Sequence, residues 1–156
     1  MENNPTTGRV IAVCISKDKS TKKENINRGK AIKGFGLEGD AHAGNWHRQI
    51  SLLSIESIQK MRDKGLDVGP GNFAENITTQ GIDLLKLPIG TKLTIGKHAL
   101  LEVTQIGKIC HSRCTIFYQA GDCVMPKEGI FARVLRDGII EIEDEIKVVK
   151  EYEISG

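Results

Sequence analysis

The sequence predicts a mainly β protein, either a barrel or a sandwich, with a few short helices. Three observations favour this class. Short runs of β-branched and other apolar residues recur along the 156-residue chain, 17 glycines punctuate them, and only two stretches have the periodicity of a helix. Such a pattern is typical of closed or stacked antiparallel sheets rather than of a doubly wound sheet. The length is that of one domain.

The first half of the chain contains two predicted strands and one predicted helix. Residues 9–16 form an apolar, β-branched run that suits a buried strand, with Cys14 inside it as a small hydrophobic residue. A second strand is predicted at 50–53. Ser54 then caps a helix whose apolar positions recur until Gly65 ends it.

The second half is predicted to be mostly strands. Pro70-Gly71 marks a turn before a strand at 76–79, and a helical turn at 82–87 is stopped by a proline. A hairpin joins 91–95 to 98–106. Residues 129–136 place Ile130, Phe131, Val134 and Leu135 on one stripe, which predicts a second helix, and 139–149 closes the chain with two strand-like runs.

The charge balance bears on partners and location. The net charge is only +2, from 22 basic and 20 acidic residues, so the sequence predicts no nucleic-acid partner. No apolar run is long enough to span a bilayer or to serve as a signal sequence, so we expect a cytoplasmic protein with no membrane partner.

Domain boundaries are predicted at 8–150, with a disordered tail at 1–7 and a C-terminal tail at 151–156. The basic stretch 17–33 is interpreted as a solvated loop, with a basic lip for an anionic ligand as the alternative.

A glycine-rich loop at 34–48 is predicted to line a polar pocket. Its Gly-x-Gly-x-x-Gly pattern lacks the strand and helix that a dinucleotide site needs, so it predicts a flexible loop that displays polar side chains. Those side chains are Asp40, His42, His47 and Arg48. After the Pro-Gly turn, Glu75 and Asn76 either join this pocket or satisfy nearby backbone groups.

The clearest chemical signal is a group of thiols that follows the predicted strand 98–106. Three of the four cysteines, Cys110, Cys114 and Cys123, lie within fourteen residues. The neighbouring basic side chains of Lys108, His111 and Arg113 are of the types that stabilise a thiolate, so Cys110 is the predicted reactive thiol. Two alternatives remain open: a structural zinc site built from Cys110, His111, Cys114 and Cys123, and a reversible disulfide between Cys110 and Cys114.

Several stretches, in their order and spacing, resemble the MOSC domain, a family named for the C-terminal part of molybdenum cofactor sulfurase. They are residues 36–44, 49–54, 70–77, 81–83 and 90–110, and they include Gly39-Asp40-Ala41-His42 and Ala74-Glu75-Asn76-Ile77. The resemblance covers about residues 8–149. It implies a mostly antiparallel β-barrel in which one cysteine follows a long strand, and in this sequence that cysteine is Cys110.

The resemblance also implies a function. Cys110 would carry a persulfide or ligate molybdenum beside the molybdenum cofactor, with His111 and Arg113 as further catalytic residues. Contacts to the pterin cofactor and its phosphate are expected from Asp40, His42, Glu75, Asn76, Lys108 and Arg133. A separate cysteine desulfurase that uses pyridoxal phosphate would supply sulfur, and a molybdoenzyme or its cofactor would receive it. The alternative is a non-catalytic module that binds or carries the molybdenum cofactor.

Overall fold

The computed structural model describes residues 7–18, 22–107 and 128–149. These residues form eleven strands, one α-helix and one 3-10 turn. In chain order they are Thr7–Ile15 (β1), Glu24–Asn25 (β2), Arg28–Ile32 (β3), Gly36–Leu37 (β4), Ile50–Ser54 (β5), Ile55–Asp63 (α1), Ile77–Gln80 (β6), the 3-10 turn Leu84–Lys86, Lys92–Ile95 (β7), Ala99–Ile106 (β8), Ile130–Arg136 (β9), Gly138–Glu141 (β10) and Glu145–Val149 (β11).

Seven of the strands close into a β-barrel. Their order around the barrel is β1, β6, β5, β9, β8, β7 and β11, and β11 pairs with β1 to complete the ring. Neighbours in the ring are antiparallel except β5 and β6, which run parallel because α1 lies between them in the chain. The predicted mainly β class and the barrel implied by the family resemblance are both confirmed.

Two apolar clusters lie on opposite faces of the barrel wall. The inner cluster fills the barrel and includes Leu52, Leu101 and Ile130. The outer cluster packs Ile58 and Met61 of α1 against the wall. A smaller sheet, in the order β10–β3–β4, stands beside the barrel and carries the start of the glycine-rich loop.

Most predicted elements form where local signals placed them. The Ser54 side chain accepts a hydrogen bond from Ser57 N at 3.0 Å, which is the N-cap that begins α1. The hairpin β7–β8 turns at Gly96, whose φ of 70° suits glycine. β1 begins at Thr7, inside the predicted N-terminal tail, whereas residues 1–6 and 150–156 of the two predicted tails lie outside the described residues.

The helix predicted at 129–136 is wrong, because Ile130–Arg136 is strand β9. Both faces of this strand are covered over its first three residues, whereas Arg133 is exposed. Ile130 and Ala132 point into the barrel core, while Phe131 packs beneath α1 in the outer cluster. Consecutive buried positions in a two-sided strand produce an apolar run that resembles a helical stripe.

The interpretation of residues 17–33 as a solvated loop is also wrong in part. β2 and β3 fall within this stretch, and both pair with other strands. Lys23 is only 3% exposed although Lys22 and Glu24 on either side are exposed. No helix in the described part of the chain has the length and the apolar content needed to cross a bilayer.

Candidate functional site

The segment that carries the predicted thiol centre lies outside the described residues. Lys108, Cys110, His111 and Arg113 fall within it, as do Cys114 and Cys123. The structure does describe the two strands that flank the segment. Gly107 N, after β8, donates to Gly129 O, before β9, at 2.7 Å. The chain therefore leaves and re-enters the barrel at one corner.

A pocket of about 210 Å³ lies beside this corner. Phe131, two residues after Gly129, forms part of its wall, and Arg48 contacts the end of β8 through Gln105. The remaining lining comes from β5 and from the loops before β5 and β6: His42, Trp46, Ser51, Phe73, Ala74 and Asn76. The pocket thus combines aromatic walls with several polar groups, as small-molecule sites do.

Arg48 is held from three sides. Its Nε donates to Gln105 Oε1 at 3.1 Å, and its guanidinium carbon lies 5.8 Å from the ring centroid of Trp46 and 5.2 Å from that of Phe131. Because Gln105 Nε2 donates to Gly107 O at 2.7 Å, the amide oxygen must face Arg48. His47 Nε2 lies 2.8 Å from the same oxygen and is therefore the donor.

A buried ion pair lies behind the pocket. Lys23 Nζ is 2.6 Å from Asp40 Oδ1, 3.2 Å from Ser16 Oγ and 3.0 Å from His42 Nδ1. An ammonium group has three donors, and these three acceptors match them. Since Lys23 can only donate, His42 Nδ1 accepts. Asp40, predicted to be displayed in the loop, is instead buried, and its Oδ2 has no partner among the described residues.

Glu75 is fully buried and does not line the pocket. Its Oε2 accepts from Gly71 N at 2.9 Å and from Thr78 Oγ1 at 2.8 Å, and its Oε1 accepts from Phe73 N at 3.2 Å. Burial raises the pKa of the Glu75 carboxyl, and these hydrogen bonds oppose that effect only in part. Of the two interpretations of Glu75, the structure shows the one in which the side chain satisfies backbone groups.

Asn76 joins the pocket wall to the core strand β1. Its Oδ1 accepts from Ser51 N at 2.9 Å, and its Nδ2 donates to Cys14 O at 3.0 Å. Cys14 is buried, as predicted. Burial, together with the Glu75 carboxylate, raises the pKa of Cys14 to about 12, although Lys23 lowers it in part. Cys14 therefore stays a neutral thiol near neutral pH.

The turn before Glu75 fixes the position of Lys23. Lys23 N donates to Gly71 O at 3.0 Å, and a Cβ placed on Gly71 would overlap the carbonyl oxygen of Lys23. Gly71 also has a φ of 88°, which favours glycine. The predicted Pro-Gly turn thus allows two backbone segments to approach closely behind the pocket.

Comparison with known proteins identifies the family. The family model of the MOSC domain matches residues 39–147, which include the pocket and the barrel from β5 to β11. The chain belongs to the MOSC domain family. The resemblance predicted from the sequence is therefore confirmed, and it associates the chain with proteins of the molybdenum cofactor sulfurase type.

Several solved structures share the fold. YuaD from Bacillus subtilis is 22% identical, the match covers 91% of this chain and 95% of that one, and the TM-score is 0.75. YiiM from Geobacillus stearothermophilus is 19% identical over 92% of this chain and 75% of that one, with a TM-score of 0.67. YiiM from Escherichia coli is also 19% identical, the match covers 92% of this chain and 70% of that one, and the TM-score is 0.60. None of the curated proteins compared with the chain matches it.

Arg133, predicted to meet a cofactor phosphate in the MOSC site, lies outside the 210 Å³ pocket. It is half exposed on β9 and pairs with Glu102 on β8, Nη2 to Oε1 at 2.6 Å. It lines a separate groove of about 300 Å³, in which Lys33 and His47 also lie and which shares Trp46 with the pocket. Of the predicted cofactor contacts in the described residues, His42 and Asn76 line the pocket, whereas Asp40 and Glu75 support it from behind.

Two further points concern the site of this MOSC domain: its metal-binding groups, and the residues that the sequence did not identify. No cluster of three or more histidine, cysteine or acidic residues suited to a metal ion occurs in the described ranges, and the proposed zinc ligands lie outside them. The sequence predicted that the glycine-rich loop displays Arg48 but gave Arg48 no cofactor contact, and it did not assign Trp46 or Lys23 to the site. The run of aromatic and basic residues Trp46-His47-Arg48 could have indicated a ligand site. The burial of Lys23 had no such local signal, because it depends on Asp40, seventeen residues away.

Proposed function

We propose that this MOSC domain carries sulfur on Cys110, or binds molybdenum through it, at the pocket beside the corner between β8 and β9. The observation that carries the proposal is that Gly107 and Gly129 lie at this corner, so the segment that bears Cys110 begins and ends beside the pocket. Cys110 follows Gly107 by three residues, and three residues span at most about 11 Å. A span of this length would allow the thiol to reach a ligand in the pocket.

The sulfur-transfer step needs no added oxidant. The Cys110 thiolate attacks the terminal sulfur of a donor persulfide, a new sulfur–sulfur bond forms on Cys110, and the donor leaves as a thiolate. Delivery reverses this exchange: an acceptor nucleophile takes the terminal sulfur and Cys110 leaves as a thiolate. Lys108, His111 and Arg113 would favour the thiolate by their positive charge. A cysteine desulfurase would load the domain in the cytoplasm, where thiols stay reduced.

The described residues fit a pterin cofactor in chemical type. Phe73 and Phe131 provide apolar walls for a flat ring, and His42 and Asn76 provide polar edges. The volume of about 210 Å³ lies below the ~300–1,000 Å³ of typical small-molecule sites, so these residues would hold only part of the cofactor. When bound, the pterin would supply a molybdenum centre that prefers soft sulfur ligands such as a cysteine thiolate.

The test compares two cysteines in the same protein. The purified chain is incubated with a cysteine desulfurase, pyridoxal phosphate and cysteine, and the intact mass is then measured. We expect the wild type and Cys14→Ala to gain the mass of sulfur and Cys110→Ala to gain none, because Cys14 is buried and its thiol stays protonated. Sulfur gain by Cys110→Ala equal to that of the wild type would contradict the proposal.

Elemental analysis of the same three proteins separates the alternatives. Molybdenum that is present in the wild type and lost in Cys110→Ala would support ligation by that thiolate. Molybdenum that persists without Cys110 would favour the non-catalytic carrier. One equivalent of zinc without molybdenum, lost in Cys110→Ala, would favour the structural zinc site instead.

A further inference from the structure

Within the described residues, Arg48 differs from Lys23 and Arg133 in having no acidic partner. Lys23 pairs with Asp40 and Arg133 pairs with Glu102. Within residues 7–18, 22–107 and 128–149, no carboxylate pairs with Arg48, whose only hydrogen bond there is from Nε to the neutral Gln105. A cation that lines a pocket without a counter-charge attracts an anionic ligand.

The guanidinium of Arg48 is also ordered before any ligand arrives. The rings of Trp46 and Phe131 flank it, and Gln105 fixes its Nε. Gln105 is itself fixed by Gly107 O and by His47. Of the five N–H donors of the guanidinium, the four on Nη1 and Nη2 make no hydrogen bond to a described residue. Little conformational entropy is lost when such a group binds.

We infer that Arg48 is the oxyanion-binding residue of the pocket and that its ligand carries a phosphate monoester next to a flat ring. Two neighbouring N–H groups of a guanidinium match two oxygens of a phosphate, and the aromatic walls suit a planar ring system. The inference deepens the proposed function, because it assigns the phosphate of the pocket ligand to Arg48 rather than to Arg133. It does not depend on sulfur transfer by Cys110.

The chain has a built-in reporter for this site. Trp46 is the only tryptophan in the sequence, and its ring lies beside the Arg48 guanidinium. We therefore expect tryptophan fluorescence to change when a ligand binds at Arg48. Trp46 also lines the neighbouring groove that contains Arg133, so the same signal reports the rival location.

The experiment titrates phenyl phosphate, benzoate, phenol and inorganic phosphate into the full chain and into matched variants. We expect phenyl phosphate to bind more tightly than inorganic phosphate or benzoate, and phenol to cause no saturable change. Arg48→Gln should weaken phenyl phosphate binding about 10- to 100-fold, the usual range for losing hydrogen bonds to a charged group. The affinity of Arg48→Lys for phenyl phosphate should lie between those of the wild type and Arg48→Gln, because lysine keeps the charge but lacks the paired donors.

Arg133→Gln is the matched control, since it removes a guanidinium of the same type that pairs with Glu102. We expect its affinity for phenyl phosphate to match that of the wild type. Equal losses in the two glutamine variants, or a loss in Arg133→Gln alone, would place the anion in the neighbouring groove and overturn the inference. Unchanged affinity in Arg48→Gln would overturn it as well. Repeating the titration with Cys110→Ala separates this result from any failure of sulfur transfer.

Discussion

Lys23 Nζ lies 2.6 Å from Asp40 Oδ1, and neither side chain is more than 1% exposed. The pair joins the loop before β2 to the glycine-rich loop, and Lys23 also donates to His42 in the pocket wall. Two charges removed from water stabilise a fold only while they remain together, since either one alone is a buried, uncompensated charge.

Neutralising one member of this pair should therefore cost more than neutralising both. We expect Lys23→Met or Asp40→Asn to lower the free energy of unfolding by about 3–5 kcal/mol, and the double variant to be more stable than either single one. Chemical denaturation measures all three. Lys22→Met, at the exposed neighbouring position, should change stability by less than about 0.5 kcal/mol. Strictly additive losses in the double variant would show that the two charges do not interact.

Glu75 predicts a pH dependence of stability. Its pKa in the folded chain lies above the ordinary value of 4.5, because burial penalises the carboxylate. Between pH 4.5 and the raised pKa, the folded chain holds a proton that the unfolded chain has released, so the free energy of unfolding falls as the pH rises. This loss is at most about 1.4 kcal/mol per pH unit.

Glu75→Gln should remove that part of the slope. Urea denaturation at several pH values from 4.5 to neutral measures the free energy of unfolding of Glu75→Gln. At each pH this value is compared with that of the wild type. The same substitution at Glu38, which is exposed, is the control and should leave the slope as it is. If Glu75→Gln keeps the wild-type slope, burial of this carboxyl does not set the pH dependence.

Gly65 and Gly71 have similar backbone conformations but different surroundings. Replacing each by alanine therefore separates the cost of backbone strain from the cost of steric overlap. Gly65 and Gly71 have φ values of 93° and 88°, but a Cβ at Gly65 would meet open space, whereas one at Gly71 would overlap the carbonyl of Lys23. We expect Gly65→Ala to cost about 1–2 kcal/mol from the left-handed conformation alone. Gly71→Ala should cost roughly 3 kcal/mol or more, since overpacking adds about 1–3 kcal/mol. Thermal or chemical denaturation of both variants measures the difference, and equal costs would contradict the close approach.

The sequence predicted the elements whose signals are local. The cap at Ser54, the strand around Cys14 and the turn at Gly96 each depend on a few neighbouring residues, and the structure confirms all three. Phe131 was assigned to a helix because a strand covered on both faces carries no alternation of apolar and polar residues.

The candidate site was harder to predict because its members meet only through the fold. Arg48 reaches Gln105 across 57 residues, and Lys23 reaches Asp40 from a stretch whose charges suggested a solvated loop. Neither contact leaves a spacing pattern in the sequence. The residues of the motif Gly39-Asp40-Ala41-His42 were predicted as a group, but only the structure separates the buried Asp40 from His42 at the pocket.

The pairing of β1 with β11 determines when the protein can finish folding. Thr7 lies opposite Lys147, so the ring closes between the first and the last of the described strands. Until β11 has left the ribosome, β1 and β7 each have an open edge that can pair with other chains. Such distant pairings slow folding, because the entropy of closing a long loop is lost before the contact forms. Synthesis of this domain therefore includes a period in which the strands from β1 to β10 must be protected from aggregation, and that period ends only when β11 is available.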